Sequence, residues 1–180
     1  MPIRITCRVF VHGSIRRVSV LPMAGRALLS LLRGGVDAEM LWTGTDEGCG
    51  YGVLDAGAVP TPLFYARRLF AQYIRRGDGI ITAKISAVHR DLDGMIVAGK
   101  AARRSAILVH REPREATYDV AELTSGEFEG QCMLIKVDGG TGNGVIVQRS
   151  DGRIGITGYG VAVISNSVAG CDVGVGRDWA

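Results

Sequence analysis

The stretch Asp138-Gly-Gly-Thr-Gly-Asn-Gly-Val-Ile-Val-Gln-Arg-Ser-Asp-Gly-Arg-Ile-Gly-Ile-Thr-Gly-Tyr-Gly-Val161 constrains the fold of this chain more than any other. Glycine or polar residues cut its apolar runs every few positions, which leaves them too short for a helix stable in water and well suited to strand, turn and strand. Val145 to Gln148 and Arg153 to Thr157 read as two strands joined by a Ser150-Asp151-Gly152 hairpin signal, with a further strand from Gly160 to Ile164. Ahead of them, Gly139 to Gly144 forms a tight loop that presents Thr141, and its free N–H groups can hold an anion. By itself the stretch reads as a β-hairpin with glycine-rich ends.

Twenty-six glycines against five prolines spread similar turns over the whole chain. Ile3 to Val11 alternates apolar residues with Arg4, Thr6 and Arg8, and Ile15 to Leu21 follows a His12-Gly13-Ser14 turn. Tyr51 to Leu54, Ile80 to Val88, Gly94 to Val97, Ala106 to Val109, Thr117 to Leu123 and Gln131 to Val137 bring the tally to roughly a dozen short strands. Two segments carry helical spacing instead. Met23 to Leu32 ends at Gly34-Gly35, and Leu63 to Arg76 follows Pro62 with Leu63, Ala66, Phe70, Tyr73 and Ile74 on one face. A strand over Leu63 to Tyr65 followed by a helical turn is the competing reading of the second segment, and periodicity favours the helix. The expected fold class is all-β with a few short helices. Residues 1–44 are expected to form an N-terminal arm of extra strands and a helix, and 45–180 the main domain.

With 180 residues, 47% apolar and 22% charged, the chain can bury a sizeable core, and disorder is excluded. A formal charge of +3 is too mild for a dedicated nucleic-acid binder, although Arg67, Arg68, Arg75, Arg76, Arg103 and Arg104 are candidates for a phosphate-binding face. Cys7, Cys49, Cys132 and Cys171 form no Cys-x-x-Cys pair, so neither a zinc site nor a disulfide framework is indicated, and no metal or cofactor is expected. No run approaches eighteen apolar residues and charge is scattered through the N-terminus. That pattern predicts neither a membrane span nor a secretory signal, and hence a cytoplasmic setting. Gly139 to Gly144 lacks the Lys-Ser/Thr of a phosphate P-loop. Asp91 and Asp93 read as parts of a solvated turn rather than as paired acids or metal ligands.

Several stretches, taken in order, resemble those of chymotrypsin-like serine peptidases of the small viral polyprotein type. Gly50-Tyr-Gly-Val-Leu-Asp55 resembles the Gly-x-Gly-Phe-Val-Val-Asp strand, Leu63-Phe-Tyr-Ala-Arg-Arg-Leu-Phe70 the Leu-Leu-Thr-Ala-x-His-Val stretch, and Asp93-Gly-Met-Ile-Val97 the Asp-Leu-Ala-Leu-Leu stretch. Gly139-Gly-Thr-Gly-Asn-Gly-Val145 is similar to Gly-Asp-Ser-Gly-Gly-Pro-Val, and Thr157-Gly-Tyr-Gly160 to the substrate-lining strand. The resemblance implies a double β-barrel with a site between the barrels. In that family a Ser attacks, a His takes its proton and an Asp orients the His. Carried over by residue, Arg68 stands at the His position (Tyr65 in a shifted alignment), Asp93 at the Asp position and Thr141 at the Ser position, with Gly139 and Thr141 forming an oxyanion-like hole. A register one residue along puts Gly142 at the nucleophile position. Arginine stays protonated near neutral pH and cannot act as a general base.

The resemblance therefore implies a pseudoprotease that binds a peptide or protein segment in an interbarrel groove, along Thr157, Gly158, Tyr159 and Gly160. Two other readings stay open at this stage. One is an active serine/threonine endopeptidase in which His89 assists Thr141; the other is an RNA-binding or structural β-domain that uses the paired arginines. His12 and His110, at strand ends, read as surface or satisfied histidines. A viral origin would place the protein in the host cytoplasm.

Overall fold

The computed structural model describes residues 19–36, 44–45, 52–82, 85, 89–128, 132–140, 146–150 and 152–166. Helix α1 spans Leu21–Arg33 and α2 spans Pro62–Tyr73; each carries a proline in its first turn, where a missing N–H costs nothing. Strands β1 (Gly79–Thr82), β2 (Leu92–Ala98), β3 (Arg104–His110) and β4 (Glu115–Asp119) follow, then a short helix α3 (Val120–Thr124). The chain continues through β5 (Cys132–Val137), β6 (Ile146–Ser150), β7 (Arg153–Thr157) and β8 (Gly160–Ser165).

Six strands form one antiparallel sheet in the order β1-β2-β3-β8-β5-β6, and β4 pairs with β7 in a separate two-stranded ladder. β1 and β6 lie at opposite edges, so the sheet is open and no closed barrel exists among the described residues. Parallel pairing there is confined to the isolated bridge Thr45–Leu54. The expected all-β double barrel is thus corrected to a mixed α/β architecture built on an open antiparallel sheet.

The physical reason lies in β3 and β8, which are buried along almost their whole length. Successive side chains of a strand point to opposite faces, so a strand without an exposed side needs a layer on each. One face, with Met95, Val97, Ile107, Val109, Ile135, Val137, Val161 and Val163, packs under α1 and α2 through Leu21, Leu29, Ala66, Leu69 and Phe70. The other, with Ile96, Ala106, Leu108, Leu134, Ala162 and Ile164, packs on Tyr118, Val120, Leu123, Ile154 and Ile156 of β4, α3 and β7. Helices, sheet and ladder make three layers.

Gly25 sets the spacing of the first two layers. A Cβ built there would stand 2.7 Å from Val109 Cγ2 and 3.2 Å from Val161 Cγ1. At the other end of the ladder, the strand expected from Thr117 to Leu123 breaks at Asp119. Its carboxylate accepts a hydrogen bond from the Glu122 N–H at 3.0 Å and caps α3. Leu21, expected to close a strand, opens a helix instead.

Candidate functional site

Two residues of the implied protease triad are described, Arg68 and Asp93, and they sit in different surroundings. Arg68 is exposed on α2. Asp93, on β2, is held from α1: Arg33 Nη2 donates to its Oδ1 at 2.8 Å, and Arg26 Nε lies 3.8 Å from Oδ2. Burial raises the Asp93 carboxyl, but the Arg33 hydrogen bond and charge, the Gly94 N–H and Arg26 together bring it below the ordinary 3.8. Thr141 and Gly142 lie outside the described residues.

Of the amides expected to line an oxyanion hole, that of Gly139 already has an acceptor, as does its neighbour Gly140. The Gly139 N–H donates to the Thr157 carbonyl at 2.8 Å and the Gly140 N–H to Asp138 Oδ1 at 2.9 Å. Asp138 is fully buried; its Oδ2 accepts from the Thr157 N–H at 2.9 Å and pairs with Lys136 Nζ at 2.9 Å, while Nζ also donates to the Gly155 carbonyl at 2.9 Å. The opening of the glycine stretch is therefore a structural clamp that ties the end of β5 to β7.

Strand addition along Thr157 to Val161 is also ruled out over β8, because β3 and β5 occupy both of its edges. Gly158 and Tyr159 form the turn from β7 to β8, with Gly158 at φ +69. The six arginines do not form one face. Arg103 is buried, chelating Asp78 through Nη2 at 2.6 and 2.7 Å and donating to the Tyr73 carbonyl at 2.8 Å, and Arg104 pairs with Glu127.

A different cluster concentrates the titratable groups. Side chains 106, 108 and 110 of β3 share the face turned toward the ladder, which brings the fully buried His110 beside Tyr118 of β4. His110 Nδ1 faces the Gly158 carbonyl at 2.7 Å and so carries the proton that it donates. Its Nε2 points at Asp91 Oδ2, 3.6 Å away, and has no hydrogen-bond partner among the described residues. The Tyr118 hydroxyl donates to that same oxygen at 3.0 Å. His89 stands edge-on to the Tyr118 ring with centroids 5.1 Å apart, and its Nε2 is 3.7 Å from Glu122 Oε1 of α3.

Burial alone would raise the Asp91 carboxyl, yet the Tyr118 hydrogen bond, its own backbone N–H and the His110 and His89 rings bring it below the ordinary 3.8. Burial, with the hydrogen bond to Asp91 and its charge, pushes the Tyr118 phenol up, so it stays protonated and is no base. Asp91 is thus held ionised, while the cluster's second carboxylate, Glu122, is exposed and faces His89. Among the described residues no group of three metal-ligating side chains converges. Its evident role is to pin the start of β2, the end of β3, β4 and the β7–β8 turn together. Sequence reasoning missed it by treating Asp91 as solvated; the parity of His110 with Ala106 and Leu108 was the signal available.

No family profile matches the chain, and no curated protein does. Solved structures do match in fold. A GH30 endoxylanase from Clostridium papyrosolvens C71 shares 9% identity at a TM-score of 0.55, over 88% of this chain and 40% of its own. A conserved exported protein from Bacteroides fragilis shares 11% at 0.64, over 92% of this chain and 37% of its own. The catalytic domain of a GH30 xylanase C from Talaromyces cellulolyticus shares 10% at 0.51, over 82% and 35%. The chain thus spans well under half the length of these proteins. At these identities the likeness is one of fold, and it replaces the implied kinship with chymotrypsin-like or viral peptidases. No helix among the described residues is long and apolar enough to cross a membrane.

Proposed function

We propose that this chain is a supporting, non-hydrolytic portion of a glycoside-hydrolase-type protein active on xylan or a related polysaccharide, working beside a larger catalytic part. The observation that carries the reading is the fold likeness to two xylanases over 82% and 88% of this chain, while it spans only 35% and 40% of theirs. Four aspartates among the described residues agree with it. Glycoside hydrolysis ordinarily needs two carboxyl groups about 5 to 9.5 Å apart, one free to protonate the leaving group and one to act as nucleophile or base. Here Asp78, Asp93 and Asp138 are each bound by an arginine or lysine, and Asp91 accepts from Tyr118. Such a role also favours an exported setting over the cytoplasmic one expected from the sequence, because polysaccharide substrates lie outside the cell.

The test is antibody capture of the native protein from its source, followed by a xylan zymogram run beside the purified 180-residue chain. The captured material is expected to clear xylan and the chain alone to leave it intact. Clearing by the chain alone, or captured material inactive on xylan, mannan and glucan, would overturn the reading.

A further inference from the structure

Among the described residues the helical layer does not close over the β1 edge of the sheet. Between α1, α2 and β1 lies a cleft of about 890 Å³. Its walls include Leu28, Leu32 and Ile74, which are only partly buried although Met95 and Val97 beneath them are fully covered. Val36 (44% exposed) and Ile80 (42%), two of the five exposed large apolar side chains among the described residues, also line it. Apolar surface left open in this way marks a binding site more often than a defect of packing, and the volume falls in the range of small-molecule sites.

The rim adds a sign of charge. Arg75 and Arg76, both exposed, line the cleft, and the one carboxylate among its described lining residues, Asp78, is engaged by Arg103 Nη2 on both oxygens and by the Arg75 N–H at 2.8 Å. The exposed Arg75 and Arg76 thus put positive charge at the mouth of an apolar trough. An arginine fork matches a carboxylate in geometry as well as charge.

We infer that this cleft binds a free amphiphilic carboxylate, with an unbranched or aryl body of about eight to twelve carbons in the trough and its head on the arginine rim. This goes beyond the polysaccharide-related role and does not depend on it. The probe is monomeric dodecanoate, titrated by calorimetry at low salt, with decanoate and dodecyltrimethylammonium as comparisons. Two further methylenes should tighten binding about tenfold, and the cationic surfactant should bind at least about tenfold more weakly than dodecanoate. Arg75→Glu with Arg76→Glu, both on exposed positions, should weaken dodecanoate about tenfold without shifting Tm. Ile80→Asp should do so through the apolar lining. Equal binding of anion and cation, indifference to chain length or to the arginine changes, or uptake by phosphatidylcholine vesicles containing oleate without monomer binding would each overturn the inference. Self-association of the chain that competes with dodecanoate would overturn it too, by showing that a second copy covers the cleft.

Discussion

Replacing Asp138 with alanine removes the acceptor on which three donors among the described residues converge. The Lys136 ammonium, 11% exposed, would retain only the Gly155 carbonyl, and the N–H groups of Gly140 and Thr157 would lose their partner. Stranding one buried charge costs about 3–5 kcal/mol, and the lower end applies because Lys136 keeps one acceptor and some solvent. The two amides add on the order of 1 kcal/mol each. The expected loss is therefore about 4–5 kcal/mol, a large share of the 5–15 kcal/mol typical of a folded domain. At about 2–4 °C per kcal/mol for a chain of this size, Tm should fall by roughly 10–15 °C. Lys136→Met keeps both amides on Asp138 but takes the Lys136 cation from the fully buried carboxylate, so it should cost about 3 kcal/mol, less than Asp138→Ala because no amide loses its acceptor. Urea unfolding of the two variants beside the wild type measures both. A loss below about 1 kcal/mol for Asp138→Ala, or an equal loss for Lys136→Met, would refute the clamp.

Asp91 and Asp93 both sit below the ordinary carboxylate range in the folded chain, so the unfolded chain takes up their protons first as pH falls. Their contribution to stability is complete above that range and is lost on acidification through the folded values; urea midpoints should drop between about pH 5 and 2.5, and less steeply in Asp91→Asn. Gly25→Ala should cost about 1–2 kcal/mol despite the better helix propensity of alanine, and Val109→Ala in the same chain should recover part of it; thermal melts of the single and double variants decide. Ala101 and Ala102, at φ +55 and +56 in the β2–β3 turn, adopt a backbone suited to an Asn-Gly pair. Ala101→Asn combined with Ala102→Gly should raise stability by about 1–2 kcal/mol in urea unfolding.

Much of the local structure was legible. Helical spacing from Met23 to Leu32 and from Leu63 to Arg76 places α1 and α2 to within a few residues, and the strands at 153–157 and 160–164 stand where alternation and glycine put them. Assembly was not legible in the same way. The apolar runs Ala106–Val109 and Val161–Ile164 carry no alternation because both of their faces are covered, and a single chain does not say which layers cover them. Matched strand order was read as two barrels, while the pairing leaves β1 and β6 at open edges. The α3 turn had its signal in Asp119-x-x-Glu122, which β-branched neighbours masked. The Asp91–His110–Tyr118 cluster joins residues on three separate segments, and no linear motif marks such a junction.

The sheet order carries the break with the peptidase reading, and Val163 tests it most directly. In the open sheet it is flanked by Ile107 on one side and Ile135 on the other. Solution NMR of labelled protein should show cross-strand backbone contacts from Val163 to both residues, with none between Gly79–Thr82 and Ile146–Ser150. Contacts from Val163 to only one neighbour, together with pairing of those two edge strands, would mean a closed barrel and would contradict the account.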